Sequence, residues 1–292
     1  AAARSASRSV VMIALTVSAL ALSSSSPPSK VAPALKLRGG ISAVDTDLVA
    51  KAFTTLSTAN AIVTYLAPDV QAANYNLKKL SPQALYLQKF IGSVCLSWCV
   101  LAWCLLSGAQ PTSAMGWSLV PALATVADTL LNDLPGKLGM LDLKGQYFNA
   151  VLLPAVATAF FKNYNAYDVG IFLAAFGFIN GVLFAAASET WATFWGVPVN
   201  KELTFFTKNL GFTLMALSTL LGSVAIGLDV TKAIGYSILP LLVSLADGFF
   251  FSKSMEVMGV PPDPVAAWAV IMCGTTTALL GRTGTAAAAV FA

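Results

Sequence analysis

Residues 89–128, KFIGSVCLSWCVLAWCLLSGAQPTSAMGWSLVPALATVAD, and residues 208–247, KNLGFTLMALSTLLGSVAIGLDVTKAIGYSILPLLVSLAD, superpose without a gap at a displacement of 119 positions. Lys89 falls on Lys208, Gly92 on Gly211, Gly108 on Gly227 and Thr112 on Thr231. Gly116 falls on Gly235, Ser118 on Ser237, Pro121 on Pro240, and Ala127-Asp128 on Ala246-Asp247. Shared apolar composition does not align lysine, proline, glycine and aspartate, so the match reads as an internal repeat. Upstream, a shift of one further residue lays Asn60-Ala61 on Asn180-Gly181. The unit therefore covers about 49–162 and 169–281. It divides the chain into a leading segment, 1–40, a first repeat, 41–164, and a second repeat with a short tail, 165–292.

Each unit contains four apolar blocks. They predict spans near 49–67, 90–107, 114–131, 146–161, 169–187, 209–228, 233–251 and 265–280. Each approaches the ~20 residues that cross a bilayer core. The runs are continuous rather than alternating, which specifies helices. The expected fold is thus all-α: a polytopic membrane protein of about eight helices in two four-helix repeats. An even number of spans makes both copies enter from the same side, so the repeats are parallel. Composition agrees. Of 292 residues, 57% are hydrophobic and 10% charged, and mean hydropathy is +0.76. A water-soluble globule is about a quarter charged.

The net charge of +4 resides in the leader, where Arg4, Arg8, Lys30, Lys36 and Arg38 precede the first acid, Asp45. No basic stripe interleaved with aromatics exists, which excludes nucleic acid as a partner. Histidine is absent, removing the commonest general base and metal ligand. Cys95, Cys99, Cys104 and Cys273 form no CxxC and read as small apolar filler. No metal site, nucleophile–base pair or catalytic residue is expected, so the chain reads as a non-enzyme. The side holding loops 68–89, 132–145, 188–208 and 252–264 has eight lysines. The other side, counted from Gly40, has Lys51, Lys162, Lys232 and Arg282, so the first side is expected to face the compartment of insertion.

Asp128 and Asp247 lie about a turn inside the end of the third helix of each unit. Lys89 and Lys208 are expected at the start of the second helix, on the same membrane side. A short turn makes these helices antiparallel neighbours, which predicts the ion pairs Lys89–Asp128 and Lys208–Asp247. An ionisable group within a span is a functional candidate, but shallow placement and snorkelling favour a structural pair. Pro121 and Pro240 are expected to kink the third helices alike. Asn60 and Asn180 are candidates for interhelical hydrogen bonds of about 1 kcal/mol each. The aromatic loop Glu189 to Lys208 and its counterpart, 68–89, read as interfacial segments.

The leader resembles a known class of address. Arg4 and Arg8 precede an apolar run, Val10 to Leu22, that ends in Ala19-Leu20-Ala21, an A-x-A cleavage pattern. A serine-rich, basic, acid-free stretch follows to Gly40. This order resembles the bipartite signal-plus-transit sequences of plastid proteins in red-lineage algae with secondary plastids. The resemblance implies a plastid membrane, the thylakoid first and the plastid envelope or endomembrane as alternatives. The unit itself, with Lys-Asn-Leu-Gly at 208–211, resembles four-helix membrane proteins of the DoxX-like type, and no chemistry carries over. Light-harvesting and rhodopsin patterns are not matched: no span holds an arginine, and 265–280 holds no lysine.

The expected function is a non-catalytic accessory or scaffold subunit of a photosynthetic thylakoid complex, with membrane lipids and complex subunits as partners. No cofactor is certain. Chlorophyll and carotenoid are the candidates for apolar crevices. The alternative is a small-solute or ion transporter or channel with a path between the repeats.

Overall fold

The computed structural model of the chain describes residues 45–77, 80–140 and 144–281. The expected targeting segment, 1–40, and Lys78, Lys79 and Arg282 of the charge count lie outside them. The described elements are all helical. The long ones are α1 (Thr46–Leu66), α3 (Pro82–Leu106), α4 with α5 (Pro111–Ser118 and Val120–Leu131), α7 (Lys144–Phe161), α8 (Ala166–Ala186), α10 (Lys201–Ala225), α11 (Val230–Ala246) and α13 (Pro262–Leu280). Short helices α2 (Pro68–Asn74), α6 (Leu134–Lys137), α9 (Ser188–Phe194) and α12 (Ser254–Val257) all lie on one end of the bundle. A π-helical turn, Asp247–Phe251, extends α11.

Five stretches are long and apolar enough to cross a membrane: Pro82–Leu106, Pro111–Leu131, Ala166–Ala186, Val230–Phe251 and Pro262–Leu280. This marks a helical membrane protein. Gly145–Phe161 is apolar but shorter. The other two expected spans are long helices of more polar sequence. α10 carries Lys201, Glu202 and Lys208 and is packed among α8, α11 and α3. A helix sheathed by protein does not need the apolarity that lipid contact demands.

Several expected boundaries change. α3 and α10 begin eight residues before 90 and 209, so Lys89 and Lys208 sit two turns inside their helices, not at the start. Hydropathy is diluted there by Gln83 and Gln88, and by Lys201 and Glu202. The true starts are caps. Ser81 Oγ accepts from the Ala84 N–H, with Pro82 at the first helical position, and Asn200 Oδ1 accepts from the Leu203 N–H. The expected interfacial loops contain the helices α2 and α9 rather than irregular chain. The third span breaks at Leu119, between α4 and α5.

The turns stand at corresponding positions in the two halves. Asn76 and Gly196 both have positive φ, and the next N–H in each case closes on Ala72 O or Ala192 O. Gly108 and Gly227 end α3 and α10 at φ +80° and +77°, each followed by the same closing bond, to Cys104 O and Ser223 O. Asp133 and Lys253 open α6 and α12 at φ +47° and +49°. From Asp128 to Asp133 is five residues, but from Asp247 to Lys253 is six. The wide i→i+5 geometry of the π turn absorbs the extra residue.

The bundle has a hydrophobic core with small hydroxyl residues set in it, and it carries large apolar side chains outside. Thr54, Ser93, Ser97, Ser118, Thr129 and Ser237 are fully buried, whereas Leu66, Val151 and Val270 are about three-quarters exposed (73%, 75% and 72%). Buried hydroxyls are satisfied locally: Thr54 Oγ1 donates to Ala50 O and Thr129 Oγ1 to Thr125 O. Small residues let backbones meet. A Cβ on Gly92 would lie 2.6 Å from Tyr65 N, in α1, and one on Gly211 would lie 2.6 Å from Gly181 O, in α8. Across the halves, α7 touches α8, α13 touches α1, and α3 lies against α10. Trp98 Nε1 of α3 donates to Ser237 Oγ of α11 at 2.9 Å.

Gly92→Ala and Gly211→Ala are each expected to destabilise the detergent-solubilised chain by about 1–3 kcal/mol, because backbone cannot retreat as a side chain can. Gly274→Ala, with open space at its Cβ, is expected to leave the thermal midpoint unchanged or raised. Equal melting of all three variants would remove close approach as the cause.

Asp229 caps α11, its carboxylate held below the usual range first by the Thr231 hydroxyl and then by the Lys232 N–H. Its folded pKa is below its unfolded one, so the cap's contribution is whole at neutral pH and is lost as pH falls through the folded value. Asp229→Ala is expected to cost about 1 kcal/mol at neutral pH and to flatten that part of the acid limb, read by thermal melts against pH.

Candidate functional site

Lys89 Nζ lies 2.6 Å from Asp128 Oδ2, and Lys208 Nζ lies 3.2 Å from Asp247 Oδ2. α3 supplies the first lysine and α5 its aspartate; α10 and the end of α11 supply the second pair. Each carboxylate has a further partner one turn on. Asn132 Nδ2 donates to Asp128 Oδ1 at 2.7 Å, and Ser252 Oγ donates to Asp247 Oδ2 at 3.1 Å. The serine is five residues on rather than four, because the π turn intervenes. Lys89 also stands 5.5 Å from the centre of the Tyr65 ring. Side-chain exposures of 24–33% place all four charges at the edge of the protein interior. Neither aspartate is among the residues lining the two cavities between the halves, and each is paired with a lysine of its own half.

The two asparagines accept hydrogen bonds from residues eleven positions on. Gln71 Nε2 of α2 donates to Asn60 Oδ1 at 2.8 Å, and Trp191 Nε1 of α9 donates to Asn180 Oδ1 at 3.2 Å. The bonds tie each long helix to the short helix after it, not one long helix to another. Asn180 Nδ2 also donates to Phe176 O in its own helix. The shared spacing Asn60–Gln71 and Asn180–Trp191 was visible in sequence, but the donors differ in type.

Pro240 lies within a continuous α11, and Pro121 stands at the start of α5, two residues after Leu119. The Pro121 carbonyl accepts from Ser93 Oγ of α3 and from Thr125 Oγ1.

Two cavities lie between the halves. The larger, about 270 Å³, is enclosed by α1, α2 and α3 from one half and α10, α11, α12 and α13 from the other. The smaller, about 170 Å³, is enclosed by α8, the segment after α9 and α10 from one half and α3, Leu119, α5 and α7 from the other. Their linings correspond. Phe90, Val94 and Asn149 of the smaller stand 119 positions before Asn209, Thr213 and Trp268 of the larger. Asn180, Trp195 and Val197 stand 120 positions after Asn60, Tyr75 and Leu77. No Asp, Glu, Lys or Arg lines either cavity among the described residues.

Gln88 is among the residues lining the larger cavity, and Ser97, Gln146 and Trp195 among those lining the smaller. Gln88 Oε1, Gln146 Oε1, Ser97 Oγ and Trp195 Nε1 are buried without a hydrogen-bond partner, at a cost of about 1–3 kcal/mol each. Burial pushes the Tyr75 phenol up to about 12, keeping it a neutral donor at physiological pH. Trp195 belongs to the aromatic segment that the sequence singles out, whereas Gln88 and Gln146 were missed; a glutamine inside an apolar run is the signal that marks them.

Among the described residues no group of three His, Cys, Asp or Glu side chains is placed to hold a metal, and all four cysteines are free thiols. The aromatic segment packs on itself and on α7: Trp191 stacks on Phe194 at 4.8 Å, and Trp195 meets Phe148 at 6.1 Å between ring centres. Compared with family models, curated proteins and solved structures, the chain matches none of them.

A double-mutant cycle on Lys89→Met and Asp128→Asn is expected to give a coupling of roughly 1 kcal/mol or less, as for a partly exposed pair. The thermal midpoint in detergent measures it. Zero coupling at both this pair and Lys208–Asp247 would mean that the contacts do not hold the helices together.

Proposed function

We propose that the chain crosses its membrane eight times as two parallel four-helix units. In this reading it serves, without catalysis, as an accessory or scaffold subunit of a photosynthetic complex in an algal plastid membrane, holding pigment or lipid between its units. The observation that carries this reading is the pair of charge-free cavities at corresponding places between the halves. Such sites suit a mainly apolar guest fixed by a few polar contacts. Support for the doubled unit comes from the matching ion pairs, asparagine bonds, glycine contacts and turns. An even number of spans per unit places the two-fold axis along the membrane normal.

α1, α7 and α10 join the five apolar spans in this arrangement. Each is a helix of 18 to 25 residues, and Thr54, Gln146 and Thr207 within them are buried. The location rests on the resemblance of the leader to bipartite plastid addresses. An ion path is the weaker reading, since it requires charged or carbonyl groups along a route through the membrane, and both cavities lack charged groups.

Gentle solubilisation of the native membrane, followed by native electrophoresis and pigment analysis, tests the proposal. The expected result is co-migration with a photosynthetic complex, with pigment or lipid retained on the purified chain. A chain that runs alone and without pigment or bound lipid contradicts it.

A further inference from the structure

We infer that the larger cavity binds one neutral, ring-bearing molecule whose head group both donates and accepts a hydrogen bond, as a primary carboxamide or an alcohol does. This deepens the reading above and rests on it for the membrane setting. The head chemistry comes from the amide pair Asn60–Gln71. Both residues line the cavity, and a single bond joins them, from Gln71 Nε2 to Asn60 Oδ1 at 2.8 Å. That bond leaves one donor, Asn60 Nδ2, and one acceptor, Gln71 Oε1, without a partner in the protein. Neither atom is sealed. Among the described residues, the side-chain atoms that lack a partner and are closed to water belong to Gln88, Ser97, Gln146, Trp195, Thr207 and Thr276. Gln71 as a whole is 6% exposed. A side chain so enclosed keeps its remaining open surface on the cavity that it lines.

The second unit supplies the internal comparison. There the corresponding pair is Asn180–Trp191, and both amide atoms of the asparagine are engaged: Oδ1 accepts from Trp191 Nε1, and Nδ2 donates to Phe176 O. An indole has no acceptor to offer. Glutamine at 71 in place of tryptophan at 191 therefore opens in the first unit a pair that the second unit closes. The rest of the guest follows from the walls. An apolar cavity of about 150 Å³ accepts benzene, so about 270 Å³ accommodates a ring with its head group. Phe53, Trp98 and Trp268 offer ring faces and edges to it. No lining group among the described residues would neutralise a charge, which excludes carboxylates and amines in their ionised forms.

The probes are benzamide and N,N-dimethylbenzamide, which share the ring and the carbonyl and differ in the N–H groups. They are titrated into the full chain in mild detergent, read by equilibrium dialysis and tryptophan fluorescence. The expected result is saturable binding of benzamide, with the dimethyl compound roughly tenfold weaker for want of the bond to Gln71 Oε1. Gln71→Met is expected to abolish that preference. The dimethyl compound keeps its own affinity in this variant, since its carbonyl still accepts from Asn60, and so reports a folded cavity. Ala216→Leu, which fills part of the cavity wall, is expected to weaken both amides at least tenfold in a chain that still melts cooperatively. Thr276→Val, which lines neither cavity, is expected to change neither affinity.

Equal binding of the two amides, a preference that survives Gln71→Met, or affinities unchanged by Ala216→Leu would overturn the inference. Those results would leave the accessory-subunit reading standing. Conversely, an amide preference lost in Gln71→Met, in a chain that joins no photosynthetic complex, would uphold the site and remove that reading.

Discussion

Hydrocarbon supplies no hydrogen bonds, and that constraint orders the molecule. Each polar side chain inside the bundle must find its partner in protein. The threonines turn back on their own carbonyls, the asparagines reach the short helix that follows, and each aspartate takes a lysine and a second donor. Lipid contact explains why large apolar residues such as Leu66, Val151 and Val270 also stand outside a core that is itself mainly hydrophobic. The exceptions among the described residues are few: Gln88, Ser97, Gln146, Trp195, Thr207 and Thr276 each bury one polar atom without a partner.

The helical architecture was legible because lysine, glycine, proline and aspartate recur at fixed spacing within apolar runs. Lys89–Asp128 and Lys208–Asp247 followed from that spacing and one short turn. The starts of α3 and α10 were not legible from hydropathy, since the cap residues Ser81 and Asn200 are followed by a polar turn that faces protein. The short helices α2 and α9 were hidden for a related reason. They are built of residues that suit an interface, and Gln71 and Trp191 declare their role only when they meet Asn60 and Asn180.

Departures from symmetry are as informative as the matches. The π turn at Asp247–Phe251 stores one additional residue and moves the second donor from Asn132, four positions on, to Ser252, five positions on. The carboxylate keeps its two partners through a change in chain length. At the prolines, the first half interrupts its helix for one residue, Leu119, two positions before Pro121, whereas α11 runs on through Pro240. The cavities differ likewise: the larger is lined by Asn209, Thr213 and Trp268 where the smaller has Phe90, Val94 and Asn149. The two halves thus present distinct interiors.

The central claim is that both units stand the same way up in the membrane. Single-cysteine labelling in sealed vesicles tests it most directly, with the four native cysteines replaced. Ser107→Cys and Ile226→Cys occupy the exposed turns after α3 and α10, and Glu256→Cys lies on the exposed surface of α12 at the other end. The account predicts that a membrane-impermeant maleimide reaches positions 107 and 226 from one face and position 256 from the opposite face. Labelling of positions 107 and 226 from opposite faces would contradict it.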